Sequence, residues 1–134
     1  MAASVHNPDT LAAPLGLYSH VAEARGARTV TIAGQVGADA SGALAGHDVG
    51  AQTRRAYENL GLALASAGAT WRDVVKMTTF LVSEELIEPF MAARREVFAE
   101  LFPDAAYPTN TLLVVSRLVH AEFLVEIEAT AVTD

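Results

Sequence analysis

The segment Thr111–Val115, TLLVV, constrains the fold more than any other stretch of the sequence. Side chains of a β-strand alternate between the two faces of its sheet. The alternation divides the strand into two sets, Thr111, Leu113 and Val115 on one face and Leu112, Val114 and Leu118 on the other. Because both sets contain apolar residues, the sheet needs cover on both sides.

The hydrophobic pattern and the turn residues predict the helices, strands and loops of the whole chain. The helix that begins near Val49 stops before Gly68, the residue type expected just past a helix C-terminus. Ser83 caps a short helical turn, and Pro89 occupies the first position of the second helix. The predicted elements are strands at 17–24 and 28–34, a glycine-containing loop at 35–48, a helix at 49–67, a strand at 74–82, a helix at 89–102, and strands at 110–118 and 123–131.

Each predicted helix has an apolar stripe at helical spacing. The stripes are Val49, Thr53, Ala56, Leu60 and Leu64 in the first helix, and Phe90, Ala93, Val97 and Leu101 in the second. Two helices can cover one face of a mixed sheet, which indicates an α+β domain. A symmetric homo-oligomer that packs sheet against sheet would cover the second face. A long loop folded over the sheet is the alternative.

Charge and cysteine content exclude several classes of partner and chemistry. Nine basic residues stand against sixteen acidic ones, for a net charge of −7, and no cysteine is present. Nucleic-acid binding depends on basic side chains, so we expect no nucleic-acid partner. The absence of cysteine excludes disulfides and zinc thiolates and fits the cytoplasm. The four histidines have no metal-ligand spacing, the N-terminus has no signal-peptide pattern, and no run is long enough to span a membrane.

Short motifs along nearly the whole chain resemble the RidA family, also called the YjgF/YER057c/UK114 family. They are Gly16-Leu17-Tyr18-Ser19, Gly34-Gln35, Gln52-Thr53, Glu58-Asn59-Leu60, Ala67-Gly68, Asp73-Val74-Val75-Lys76, Thr79-Phe80-Leu81 and Glu126-Ile127-Glu128-Ala129. The resemblance implies one domain over residues 1–134 with the chorismate-mutase-like fold. It also implies a homotrimer whose sheets form an inner barrel, with sites in clefts between subunits that act on a small metabolite without a cofactor.

The resemblance also assigns candidate site residues, since the archetypes of the family are enamine/imine deaminases. It implies that Glu126 handles the attacking water and that Tyr18 lies at the site. Ala33 and Gly34 correspond to a backbone segment that contacts substrate. A solvated strand carboxylate is the alternative for Glu126, and an interface aromatic is the alternative for Tyr18.

The archetypal arginine that binds the substrate carboxylate is replaced here. The turn reads Pro108-Thr109-Asn110-Thr111, which puts Asn110 at the arginine position and Leu112 at a cysteine position. An amide offers neither the charge nor the two-pronged donors of a guanidinium. The resemblance places Asn110, Thr111 and Leu112 at the substrate site. Arg95 corresponds to a family asparagine, which suggests the hypothesis that the two roles are exchanged; an exposed, paired arginine is the alternative.

The sequence is compatible with three functions. The first is a hydrolase that acts on a small imine, enamine or related carbonyl compound. The second is a trimer without catalytic activity that binds a small ligand or a partner protein in the same cleft. The third is the ribonuclease activity for which some family members were named, against which the acidic charge argues.

Overall fold

The computed structural model describes residues 3–134, so the first two residues of the expected 1–134 domain lie outside the described part. Two short 3₁₀ turns, Trp71–Asp73 and Glu84–Leu86, precede β4 and α2. The helices and strands are β1 (Ser4–His6), β2 (Val21–Glu23), β3 (Arg28–Val36), α1 (Val49–Ser66), β4 (Val74–Leu81), α2 (Ile87–Leu101), β5 (Thr109–Val114) and β6 (Val125–Thr133).

The four longer strands form one mixed sheet in the order β3-β6-β4-β5. The central strand β6 is antiparallel to both β3 and β4. Strand β5 runs parallel to β4, and α2 makes the crossover that a parallel pair requires. Two helices with a mixed sheet confirm the predicted α+β class. In the described residues, β3 and β5 are the two edges of this sheet.

Both helices pack on the same face of the sheet. Alternate residues of β6, among them Val125, Ile127 and Ala129, are buried and join Leu60 and Phe98 in one core cluster. The other residues of β6 point to the opposite face, where Glu128 is exposed. We call this opposite side the outer face.

The segment predicted as a strand over 17–24 is a strand only at Val21–Glu23. It pairs with β1, which the sequence did not predict, and these two strands make a separate small sheet. The preceding residues form a loop. Its backbone is held by distant groups: Ser19 N–H donates to Pro108 O at 3.2 Å, and His20 N–H donates to Asn7 Oδ1 at 2.7 Å.

The predicted start of the second helix is wrong by two residues. Helix α2 begins at Ile87 because the turn Glu84–Leu86 continues directly into it, so Pro89 is its third residue. Proline fits there because the N–H groups of a first helical turn have no partner within the helix. The Ser83 cap is confirmed, since Ser83 Oγ accepts from Glu85 N–H at 3.3 Å.

The apolar stripe of α1 is confirmed, and that of α2 needs correction. All five predicted residues of α1 are buried, together with Gln52 and Tyr57. In α2 the buried residues are Phe90, Ala93, Arg94 and Phe98, while Val97 and Leu101 are only partly buried. The face turned to the core is therefore rotated toward Arg94 and Phe98.

The last two strands are also displaced from their predicted bounds. Strand β5 ends at Val114 rather than at residue 118, because its partner β4 ends at Leu81. Strand β6 extends to Thr133, which pairs with Arg28 at the start of β3. Neither helix between residues 3 and 134 is long and apolar enough to cross a membrane.

Candidate functional site

A cavity of about 560 Å³ lies between β5, α2 and the loop that precedes β2. We call it the β5–α2 cavity. It brings together four of the residues that the sequence assigned to a site, Tyr18, Asn110, Thr111 and Leu112. Its other lining residues are Leu15, Ser19, His20, Ile87, Met91, Arg94 and Thr109.

Strand pairing fixes the direction of Asn110. It lies opposite Met77 in β4, on the face that carries the helices. Its Oδ1 accepts a hydrogen bond of 2.9 Å from the hydroxyl of Thr79, which is fully buried. This bond orients the amide group, and its Nδ2 makes no hydrogen bond to another side chain or backbone group of residues 3–134.

The guanidinium at this cavity belongs to Arg94. Arg94 is only 3% exposed, and its Nε has no hydrogen-bond partner. Its Cζ lies 5.3 Å from the ring centre of Phe90 and 5.9 Å from that of Phe98. Within the described residues no carboxylate pairs with it. Burial lowers the pKa of Arg94 from its ordinary value, but an arginine keeps its proton in proteins.

Arg95, the arginine that the sequence analysis placed in the cleft, is exposed and does not line the cavity. The arginine that lines the cavity, Arg94, is therefore the residue just before the one that the sequence analysis chose. Adjacent residues of a helix are separated by about 100° around the axis, so only one of the two arginines can face the core. The helical pattern contained the signal, because Arg94 is four residues from both Phe90 and Phe98 and shares their face.

The loop before β2 supplies Tyr18, Ser19 and His20. The Tyr18 hydroxyl accepts from Leu15 N–H at 3.2 Å, which closes the loop on itself. The Tyr18 and His20 rings meet edge to face at 5.8 Å. His20 Nε2 lies 2.6 Å from Ala12 O, so this nitrogen carries a proton that it donates to the carbonyl. His120 lies elsewhere, against the ring of Phe123.

Glu126 and Gly34 form a second group on the outer face of the sheet. Glu126 alternates with the buried residues of β6 and is half-buried. Its side chain lies directly over Gly34, whose missing Cβ makes room for the carboxylate. Ala33 precedes Gly34 and is exposed, and its carbonyl accepts from Gln35 Nε2 at 3.1 Å.

Two amide side chains of α1 hold the strands that carry this second group. The fully buried Gln52 accepts from Leu124 N–H at 2.8 Å and donates to Glu122 O and Gly46 O, both at 3.0 Å. Asn59 Nδ2 donates to the carbonyls of Val36, at 3.0 Å, and Ala38, at 2.8 Å. Gln52 therefore fixes the approach to β6, and Asn59 fixes the end of β3.

In one chain the two groups lie on opposite faces of the sheet. Asn110 is on the helix face, and Glu126 is on the outer face. Thr111 points to the outer face yet also lines the β5–α2 cavity, so the cavity reaches around the β5 edge. The chain thus presents two groups of candidate residues, which we call candidate half-sites, one at the β5 edge and one near the β3 edge.

The sequence matches a known family over nearly its whole length. The family model described as endoribonuclease L-PSP matches residues 10–133. A RutC family protein of Pyrococcus horikoshii is 36% identical over 119 residues, which cover 88% of each chain. The human 2-iminobutanoate/2-iminopropanoate deaminase is 34% identical over 107 residues, covering 78% of this chain and 73% of the human protein.

Solved structures of similar proteins share the fold. A Rid family protein of unknown function from Yersinia pestis has a TM-score of 0.88 and 36% identity, covering 98% of this chain and 99% of that one. TdcF from Escherichia coli, solved with bound serine, has a TM-score of 0.72 and 26% identity, covering 97% and 98%. The α+β fold and these similarities define a RidA-type protein. The chain belongs to the RidA (YjgF) family.

Proposed function

We propose that the protein is a hydrolase that deaminates a small imine or enamine in a cleft between two subunits. The observation that carries this proposal is the position of the Glu126 carboxylate over Gly34, on a sheet face that no helix covers. A carboxylate held there can activate water beside the backbone of the exposed Ala33 and the half-buried Gly34. The human relative named as an iminobutanoate/iminopropanoate deaminase supports this class of reaction.

The reaction needs one proton-transferring group and a water molecule. Glu126 takes a proton as the water oxygen bonds to the carbon of a protonated imine, giving a carbinolamine. The proton is then passed to the nitrogen, the C–N bond breaks, and ammonia leaves with the bonding electrons. Loss of the remaining hydroxyl proton completes the carbonyl group. A ketone and an ammonium ion are the products, and no cofactor takes part.

A homotrimer would join the two candidate half-sites. Strands β3 and β5 are the sheet edges, so a ring of three chains can set the β5 edge of one subunit beside the β3 edge of the next. Tyr18, Asn110, Thr111 and Leu112 of one subunit would then face Glu126, Gly34 and Ala33 of its neighbour. Leu113, 42% exposed on the outer face, would be covered by the same contact.

A chain without cysteine suits a reducing compartment, and we assign the reaction to the cytoplasm. The ligand in this proposal is a small metabolite. We do not propose the ribonuclease activity after which the matching family model is named, because a net charge of −7 opposes contact with phosphates.

An imine-release assay tests the function. An amino-acid oxidase generates imino acids in situ, semicarbazide competes for them, and release of the keto acid is followed with and without the protein. We expect faster keto-acid release with the wild-type protein and a loss of about 100-fold or more in Glu126→Gln, the range of a general acid–base group. Glu128→Gln is the matched control, because Glu128 lies on the same strand and face.

Two outcomes would contradict the deaminase. If no acidic, neutral or aromatic imino acid is hydrolysed faster, the cleft is not a deaminase site of this kind. If Glu126→Gln retains full activity, the catalytic group lies elsewhere. If the protein binds ligands but never turns them over, and Glu126→Gln leaves the binding affinity unchanged, it is the binding trimer without catalytic activity.

A further inference from the structure

The β5–α2 cavity contains a buried positive charge without a counter-ion. Moving a guanidinium from water into a protein interior costs roughly several kcal/mol of free energy, unless an anion or hydrogen-bond acceptors replace the lost hydration. Arg94 Nε has no acceptor, and within residues 3–134 no carboxylate meets this side chain. The rings of Phe90 and Phe98 offset only part of that cost, about 0.5–2 kcal/mol for a cation over aromatic faces.

The surroundings of Arg94 are built around its guanidinium. A Cβ added to Gly16 would stand 2.8 Å from Arg94 Nη2, so the glycine gives the guanidinium the space it occupies. The lining of the cavity contains no aspartate or glutamate that could compete with an incoming anion. The amino group of Asn110 and the hydroxyls of Ser19 and Thr111 offer further donors on the same lining, whereas the Thr109 hydroxyl already donates to Val75 O.

We propose that Arg94 forms an anion subsite for the carboxylate of a small carboxylic acid with an apolar body. A carboxylate matches one guanidinium in charge and geometry. The cavity has no lysine and no second arginine, as a phosphate dianion would favour. Leu15, Ile87, Met91 and Leu112 provide apolar walls for the body of the ligand.

This inference rests on the proposed function only in naming the substrate class, an imino acid with an apolar side chain. The positive charge that the family archetypes carry at the strand position of Asn110 would here be supplied by the adjoining helix α2. In this arrangement Arg94 binds the carboxylate, Asn110 orients the group next to it, and the reacting carbon lies toward the β5 edge. At the β5 edge the reacting carbon would face the outer face of the neighbouring subunit in the proposed trimer.

Calorimetric titration of the full-length protein with phenylacetate tests the subsite. Phenylacetamide, which has the same shape and no charge, is the matched ligand control, and phenyl phosphate tests the preference for a carboxylate. We expect phenylacetate to bind at least about tenfold more tightly than either, the range of one charge-assisted hydrogen bond. Arg94→Met should weaken phenylacetate binding by about 10- to 100-fold, and Arg95→Met, the adjacent exposed arginine, by less than about twofold.

The NMR signal of Arg94 Nε–Hε gives a readout in the wild-type protein that needs no variant. It should shift as phenylacetate saturates the cavity. No binding of phenylacetate, equal binding of phenylacetamide, tighter binding of phenyl phosphate, or full affinity in Arg94→Met would overturn the subsite.

The imine-release assay separates this inference from the proposed function. If phenylacetate binds through Arg94 but no imine is hydrolysed faster, the anion subsite stands and the deaminase fails. If imines with apolar side chains are hydrolysed equally fast by the wild type and by Arg94→Met, the deaminase stands and the subsite is overturned.

Discussion

The Glu126 side chain occupies the space that a methyl group on Gly34 would need: a Cβ there would stand 2.5 Å from Oε2 and 2.7 Å from Cγ. Gly34→Ala should therefore rotate the Glu126 carboxylate away while leaving the strands paired. We expect imine hydrolysis to fall by about 100-fold, as expected when a catalytic group is displaced by about 1 Å. The free energy of unfolding, measured in urea, should change by less than about 1 kcal/mol.

Gly37→Ala provides the contrast for that experiment. A Cβ on Gly37 would stand 2.5 Å from Gln52 Cα, which is backbone and cannot rotate away. We expect its free energy of unfolding to fall by about 1–3 kcal/mol, as in an overpacked core. Equal loss of stability in both glycine variants would contradict the idea that only the Glu126 side chain yields to Gly34→Ala.

Gln52 joins α1 to the distant segment that leads into β6 and to Gly46 in the loop just before α1. Gln52→Met keeps the approximate volume but leaves Leu124 N–H and the carbonyls of Glu122 and Gly46 without this partner. An unpaired buried polar group costs about 1–3 kcal/mol, so we expect a loss of about 3 kcal/mol in urea unfolding. Gln35→Met, which removes one bond within β3, should cost less than about 1 kcal/mol.

Arg94 should limit the stability of the unliganded protein. Replacing a buried charge that lacks a partner by an apolar side chain of similar length removes a desolvation cost. We expect Arg94→Met to raise the free energy of unfolding by about 1–2 kcal/mol after loss of its contacts with the rings of Phe90 and Phe98. Arg95→Met should stay within about 0.5 kcal/mol of the wild type. A strongly destabilised Arg94→Met protein would mean that the guanidinium has a structural role.

Leu113 tests the assembly. Leu113→Glu places a charge on the outer face, which the proposed trimer buries, so light scattering after gel filtration should show monomers. Ala99→Glu is the control, because Ala99 is exposed on α2, which packs on the other face of the sheet, and the substitution should leave the assembly intact. A Leu113→Glu protein with the wild-type mass would show that this face is not the interface.

Asp104 should show the effect of Arg72 in an NMR titration. The hydrogen bond from Arg72 is the main cause that holds the pKa of Asp104 below its ordinary value, followed by the backbone N–H of Ala106. A lowered pKa stabilises the fold above the ordinary aspartate pKa, and this contribution is lost as the pH falls through the folded-state value. Arg72→Ala should raise the Asp104 pKa toward its ordinary value. An unchanged pKa would assign the shift to the backbone.

Local patterns in the sequence predicted the parts of the fold that depend on local interactions. Helix α1 and its buried stripe were predicted correctly because Val49 and Leu64 belong to an uninterrupted helical period. Strand β1 was not predicted, since three residues are too few to show a periodic pattern and owe their structure to pairing with β2. The end of β5 depends on where its partner Leu81 ends, and no local pattern contains that information.

The candidate site was predictable by residue type but not by arrangement. Four of the residues chosen by resemblance, Tyr18, Asn110, Thr111 and Leu112, line one cavity, and their role there stays a prediction. The separation of Asn110 and Glu126 onto opposite faces follows from strand register, which the sequence does not display. Whether Arg94 or Arg95 faces the core depends on the rotation of α2 about its axis. The predicted stripe included Val97 and Leu101, whereas the buried face contains Arg94 and Phe98.

The strand order has a consequence for how the chain acquires its fold. Strand β6 lies between β3 and β4 but follows both in the sequence, so the main sheet has no β3 pairing until β6 has been synthesised. Contacts between residues about 100 positions apart, such as Arg28 with Thr133, form slowly because a long loop must close first. During synthesis α1 would have its apolar stripe exposed with only part of the sheet to receive it. Completion of the main sheet should accordingly wait for the last strand of the domain, whatever the rate at which the helices form.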